Sequence, residues 1–89
     1  MYIDLVLCKH PNDGRYFLFQ APSFSYLKKG QLVMCETKKG ECEAEVVNSV
    51  TVEAESELFN FIVDMCKATT PLKRVLKVIA YRELKYSED

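Results

Sequence analysis

Residues 30–47 read GQLVMCETKKGECEAEVV, and the fold turns on how this stretch is read. Strand-forming residues flank Lys38-Lys39-Gly40, and the corner carries the glycine a tight turn favours. The stretch is therefore a β-hairpin, with arms QLVMCET and ECEAEVVNSVTV. Its register decides what its two cysteines can do. If residues 37–40 form a type I turn with a bulge at Gly40, Cys35 faces Glu43 and the thiols point to opposite faces. If Lys39-Gly40 is a two-residue turn, Cys35 faces Ala44 and the thiols are diagonal neighbours. Neither register opposes them directly, whereas a disulfide needs Cβ atoms about 3.5–4.5 Å apart. The expectation is a pair of half-buried structural thiols. Zinc ligands on hairpins stand about two to four residues apart. Here six residues separate the cysteines, and His10 is the only histidine. The spacing argues against a Cys8/His10/Cys35/Cys42 metal site.

Upstream, YIDLVLCKH (residues 2–10) and RYFLFQA (residues 15–21) are two further strand-like runs. Pro11, Asn12, Asp13 and Gly14 between them are the residue types of a tight turn, so they form a first hairpin. PSFSYLKKG (residues 22–30) is a connecting loop.

Downstream, the period changes. Leu58, Phe61, Ile62 and Met65 recur at the spacing of one apolar helix face, which predicts an amphipathic helix over about residues 55–67. Glu53, Glu55 and Glu57 favour its N-terminus and Lys67 its C-terminus. Thr69-Thr70-Pro71 is expected to end it, because the residue before proline avoids the α region. In the closing segment, Leu72, Val75, Leu76 and Ile79 fit a helix face, while Leu76, Val78, Ala80 and Leu84 partly fit an alternating strand. Its β-branched residues, and an edge of the four-strand sheet left to be covered, favour a strand. The expected core contains Leu5, Leu7, Phe17, Phe19, Val33, Val46, Leu58, Ile62, Met65, Val78 and Ala80.

The 89 residues suffice for a single domain, and 48% apolar content is enough for a core. Twelve basic and thirteen acidic side chains give a net charge of -1, without the cationic surplus of a strongly basic nucleic-acid-binding domain. MYIDLVLCKH has no basic n-region or cleavage site. No apolar run reaches the roughly 18–20 residues that span a bilayer. A cytoplasmic protein with free thiols and no membrane association is the expectation.

GxSxG, P-loop, GxGxxG and HExxH motifs are all missing, so no enzyme, cofactor or small-molecule substrate is indicated. Glu41, Glu43 and Glu45 alternate along one strand and read as a solvated face. With up-and-down strands, the 10–15 and 37–41 turns share an end of the sheet. Lys9, Arg15, Tyr16, Lys38 and Lys39, with His10, then form a basic cluster able to hold phosphates or stack a base. Phe24 and Tyr26 in the long loop are the other candidate, either a surface for a partner protein or an oligonucleotide, or aromatics folded back to close the barrel end.

LKKGQLVMCETKKGECEAEVV (residues 27–47) resembles the GD-x-V-x-V-x-T-x-x-G strand–turn–strand pattern of small SH3-like barrels. The likeness is nearest to the C-terminal domain family of the polymerase-suppressor proteins, with Gln31 where that pattern has Asp. TTPLKRVLKVIAY is similar to the closing strand of uncharacterised small bacterial and phage proteins. The resemblance implies a fold and an association with nucleic-acid processing, and carries over no functional residue. The combined expectation is a mainly β domain of about five antiparallel strands, in a curved sheet or SH3-like barrel, with one helix before the last strand. Its function is expected to be non-enzymatic interaction or assembly, as an accessory protein of a phage or mobile element. The alternative is weak nucleic-acid binding through the basic hairpin end.

Overall fold

The computed structural model describes residues 1–12 and 14–81. Asp13 and Leu84 lie outside the described residues, as do the side chains of Ala80 and Tyr81. Strands form where alternation and turn residues direct them: β1 (Tyr2–Lys9), β2 (Tyr16–Pro22), β3 (Gln31–Thr37) and β4 (Gly40–Glu53). Helix α1 (Glu57–Met65) follows, and then β5 (Val75–Tyr81), so the closing segment is a strand. All five strands form one antiparallel sheet in the order β2-β1-β4-β3-β5.

Both hairpins are present, but the connectivity is not a simple up-and-down meander. The 14 residues of β4 offer more edge than β3 can cover, so its second half pairs with β1. β2 and β3, consecutive in the chain, therefore lie apart. A register shift between Leu7 and Cys8 marks a bulge, which adds local twist. The sheet curls until its edges meet at one point. There the Gln20 N–H donates to the Lys73 carbonyl at 2.9 Å, and Gln20 Nε2 donates to the Leu72 carbonyl at 2.7 Å. Among the described residues, the edges are not laddered together beyond this parallel bridge.

The curl divides the apolar residues between two faces. On the inner face Val6, Cys8, Phe19, Ala21, Leu27, Val33, Cys35, Ala44 and Val46 pack together. On the outer face Leu5, Leu18, Val52 and Leu72 receive Phe59 of α1, with Ile62 and Val63 alongside. Interior strand β1 is therefore buried on both faces, which is why its run is nearly continuous in apolar residues. Burying the Phe59 ring contributes about 1.5–3 kcal/mol.

Four expected core residues are instead at least 41% exposed: Phe17, Leu58, Met65 and Val78. Phe17 shares the inner face with Phe19 but stands beyond the last buried layer, and Val78 sits on an edge strand. Leu7 is half-buried. For Leu58 and Met65 the reason is helix rotation. Phe59, Ile62 and Val63 also recur at i, i+3, i+4, and this second apolar set meets the sheet.

The helix also ends before the expected stop. Ser56 caps its start by accepting the Phe59 N–H at 3.2 Å. At its end Lys67 adopts a left-handed backbone, φ 54°. The Ala68 N–H then reaches the Val63 carbonyl, and the Lys67 N–H the Asp64 carbonyl, both at 3.0 Å. This is Schellman closure. The Thr70–Pro71 bond, which is cis, comes only after it.

The hairpin register differs from both alternatives considered above. Thr37 pairs with Gly40, Glu36 with Glu41 and Cys35 with Cys42, so the two thiols are directly opposed. Lys38 and Lys39 alone form the loop. Thr37 Oγ1 donates to the Gly40 carbonyl at 2.7 Å and accepts the Lys39 N–H at 3.2 Å. Gly40, at φ 108°, supplies a conformation that other residues rarely adopt. These bonds hold the 37/40 pair in the ladder, so no residue is looped out to shift it.

Candidate functional site

Two polar residues are buried among the described residues, Asp4 (2% exposed) and Gln31. Both hold the loop between β2 and β3. Asp4 shares the inner face with Val6 and Cys8, because all three alternate on β1. Its carboxylate accepts the Phe24 N–H at 3.1 Å, the Ser25 N–H at 2.9 Å and the Thr51 hydroxyl. Ser25 Oγ donates back to the Pro22 carbonyl. At the other end of the loop, Gln31 Oε1 accepts the Lys28 N–H at 2.6 Å. Ser49 Oγ donates to the Leu27 carbonyl at 3.1 Å, and the Leu27 side chain fills the inner core.

The bonds hold a backbone that two residues would otherwise avoid. Phe24 (φ 60°) and Tyr26 (φ 56°) both adopt the left-handed conformation, at about 1–2 kcal/mol each for an L-residue. Charge-assisted bonds to a buried carboxylate, about 1.5–3 kcal/mol apiece, are large enough to offset that cost. As a result the two rings stand in solvent, 57% and 74% exposed, with centroids 6.3 Å apart and planes inclined by 35°. Beside them lies a cleft of about 270 Å³, bordered by Phe24, Tyr26, Lys28, Val50 and Thr51, with Asp4 at its base.

The basic candidates lie towards the other end of β1. Lys9 pairs with Tyr16 on one side and Glu45 on the other. Arg15 stacks over the Phe17 ring at 5.7 Å, and His10 meets the same ring edge-on at 6.4 Å. Lys38 and Lys39 are exposed at the β3–β4 tip, the same end of the sheet as expected. They are staggered, however: Gly40 stands five residues along β4 from Glu45, about 16 Å of strand. Glu41, Glu43 and Glu45 occupy the outer face over that interval. Glu41 also faces Glu36 directly. Arg74 relieves that repulsion with a 3.3 Å contact to Glu36 and holds the Glu36 carboxyl below its usual range. The structure thus brings Lys9, Arg15 and Tyr16 together and separates them from Lys38 and Lys39 by acidic side chains.

Among the described residues, no group of three or more His, Cys, Asp or Glu is placed to hold a metal ion, and no helix is long and apolar enough to cross a membrane. The sequence singled out Phe24 and Tyr26 as candidates, which the structure places exposed on one loop, and did not single out Asp4, Gln31 and Thr51, which hold that loop. The available signal was a lone acid inside an apolar strand run, on the strand's inward alternation. Comparison of the chain with known protein families, with curated proteins and with solved structures finds no match in any of the three.

Proposed function

We propose that this chain is a non-enzymatic interaction module that docks a partner protein on the Phe24/Tyr26 loop. One observation carries the reading: a buried carboxylate, Asp4, holds the Phe24–Ser25 backbone in an otherwise unfavourable conformation that leaves two aromatics facing solvent, while Gln31 fixes the far end of the same loop at Lys28. Strain of this kind persists only where the surroundings over-determine it, and it concentrates at ligand clamps. Rings fixed before binding lose little entropy on contact, which is what makes aromatic anchors effective. The cleft, at about 270 Å³, is at the small end of ligand sites, which run to about 300–1,000 Å³, and has room for a protruding side chain of a protein. Lys28 on its border favours a carboxylate next to that side chain. The curved sheet, which we read as SH3-like, serves as the rigid frame for the loop.

The alternative, nucleic-acid binding at the hairpin end, has less support, because acidic residues interrupt the path a phosphate backbone would follow. A photo-crosslinking residue in place of Val50, at the cleft border, tests the choice in the native cell. The expected result is a crosslinked protein that disappears in Phe24→Ala and Tyr26→Ala and persists in Lys38→Glu/Lys39→Glu. Crosslinking unaffected by the aromatic substitutions overturns the proposal. So does low-salt oligonucleotide binding that the lysine substitutions abolish.

A further inference from the structure

The β3–β4 register places three thiols in one region of the fold. Cys35 and Cys42 are direct cross-strand partners and so project from the same face of the hairpin, two pairs from the turn. Cys8 lies with Cys35 in the inner core. Cys8 and Cys35 are buried, while Cys42 is half-buried, with Thr37 Oγ1 3.7 Å from its sulfur. Cys42 is therefore the thiol of the three that a dissolved reagent reaches. Direct cross-strand partners hold their Cβ atoms about 4.5–5.5 Å apart, close to the about 3.5–4.5 Å that a disulfide spans. A hairpin tip two pairs from its turn needs to close by only about 1 Å.

We infer that Cys35 and Cys42 are a site of reversible cross-strand disulfide formation, oxidised by exchange with a low-molecular-weight disulfide such as oxidised glutathione. The Cys42 thiolate attacks one glutathione sulfur, the glutathione disulfide bond breaks, and one glutathione leaves as its thiolate. The Cys35 sulfur then attacks Cys42 Sγ, breaking the mixed disulfide. The second glutathione departs and takes up the proton that Cys35 gives up. Two protein thiols are oxidised, and one oxidised glutathione is reduced to two glutathiones.

Cys8 supports the second step. The interaction between the two thiols lowers the Cys35 pKa and so raises its thiolate fraction, while the Cys8 thiol is pushed up and keeps its proton. The inference is independent of the aromatic-loop proposal, because it concerns a different surface and a different chemistry.

The test uses the full chain with the exposed Cys66 replaced by serine. It is incubated with oxidised glutathione under native conditions, then analysed by intact mass and peptide mapping. The expected product has lost two hydrogens, carries a Cys35–Cys42 linkage and returns to the starting mass with dithiothreitol. Cys35→Ser should stop at one glutathione attached to Cys42, and Cys42→Ser should leave Cys35 unmodified. A stable glutathione adduct on Cys42 with Cys35 intact overturns the inference, as does a linkage joining Cys8 to Cys35. Melting curves of each variant establish that the comparison is made between folded proteins.

Discussion

The Phe24/Tyr26 loop and the outer face of α1 both present apolar side chains to water. Leu58, Phe61 and Met65 on the helix are as exposed as the two loop aromatics. What differs is how each is held there. The helix carries two overlapping apolar sets, and packing Phe59, Ile62 and Val63 against the sheet turns the other set outward at no conformational cost. The loop aromatics occupy left-handed backbone and are kept there by a buried carboxylate. Exposure alone therefore says little about function in this molecule. The work done to maintain it says more.

Substitution on the two faces of the helix gives the largest expected difference. Phe59→Ala should destabilise the fold by about 3–5 kcal/mol, the range for a buried aromatic. Phe61→Ala, on the outward face, should change stability by no more than about 0.5 kcal/mol. Denaturant titration of both variants checks this, and a reversed ranking would mean that the opposite helix face meets the sheet.

Asp4→Asn addresses the loop. It keeps the size of the side chain but replaces one charged acceptor oxygen with a donor, leaving one of the two backbone N–H groups, that of Phe24 or Ser25, unpaired. The expected loss is about 2–3 kcal/mol. Hydrogen exchange should speed up at the Phe24 and Ser25 amides and stay unchanged in α1. Equal acceleration in both regions would show that Asp4 supports the whole fold instead of this loop.

The smallest effect is expected from Phe24→Gly. Glycine relieves the left-handed strain but loses more chain entropy on folding, two terms of about 1 kcal/mol that nearly cancel. Stability should hold to within about 0.5 kcal/mol while partner crosslinking is lost, a separation that no substitution on the inner face of α1 would produce. Thermal melting alongside the crosslinking assay reads both quantities.

Much of the architecture was legible locally. The turn residues around Gly14 and Gly40 marked both hairpins. β-branched residues and a sheet edge left to be covered pointed to a strand over the closing segment, where β5 lies. Phe24 and Tyr26 stood out as aromatics in a loop. Asp4 did not: its place on the inward alternation of an apolar strand is visible in sequence, but the three donors it meets come from segments far along the chain. The Cys35–Cys42 opposition was missed for a similar reason. Register depends on how the Thr37 hydroxyl bonds across the turn, and residue types alone allow several registers.

Local sequence pattern is enough to set which segments are extended, where the chain turns, and that an amphipathic helix precedes the final strand. Those features follow from side-chain period and backbone preference, which act over a few residues. Long-range packing selects the pairing of β4 with β1, the turning of Phe59 rather than Leu58 to the sheet, and the meeting of Asp4 with the loop 20 residues away. Each of these is a choice between locally equivalent options, settled by contacts between segments far apart in the chain.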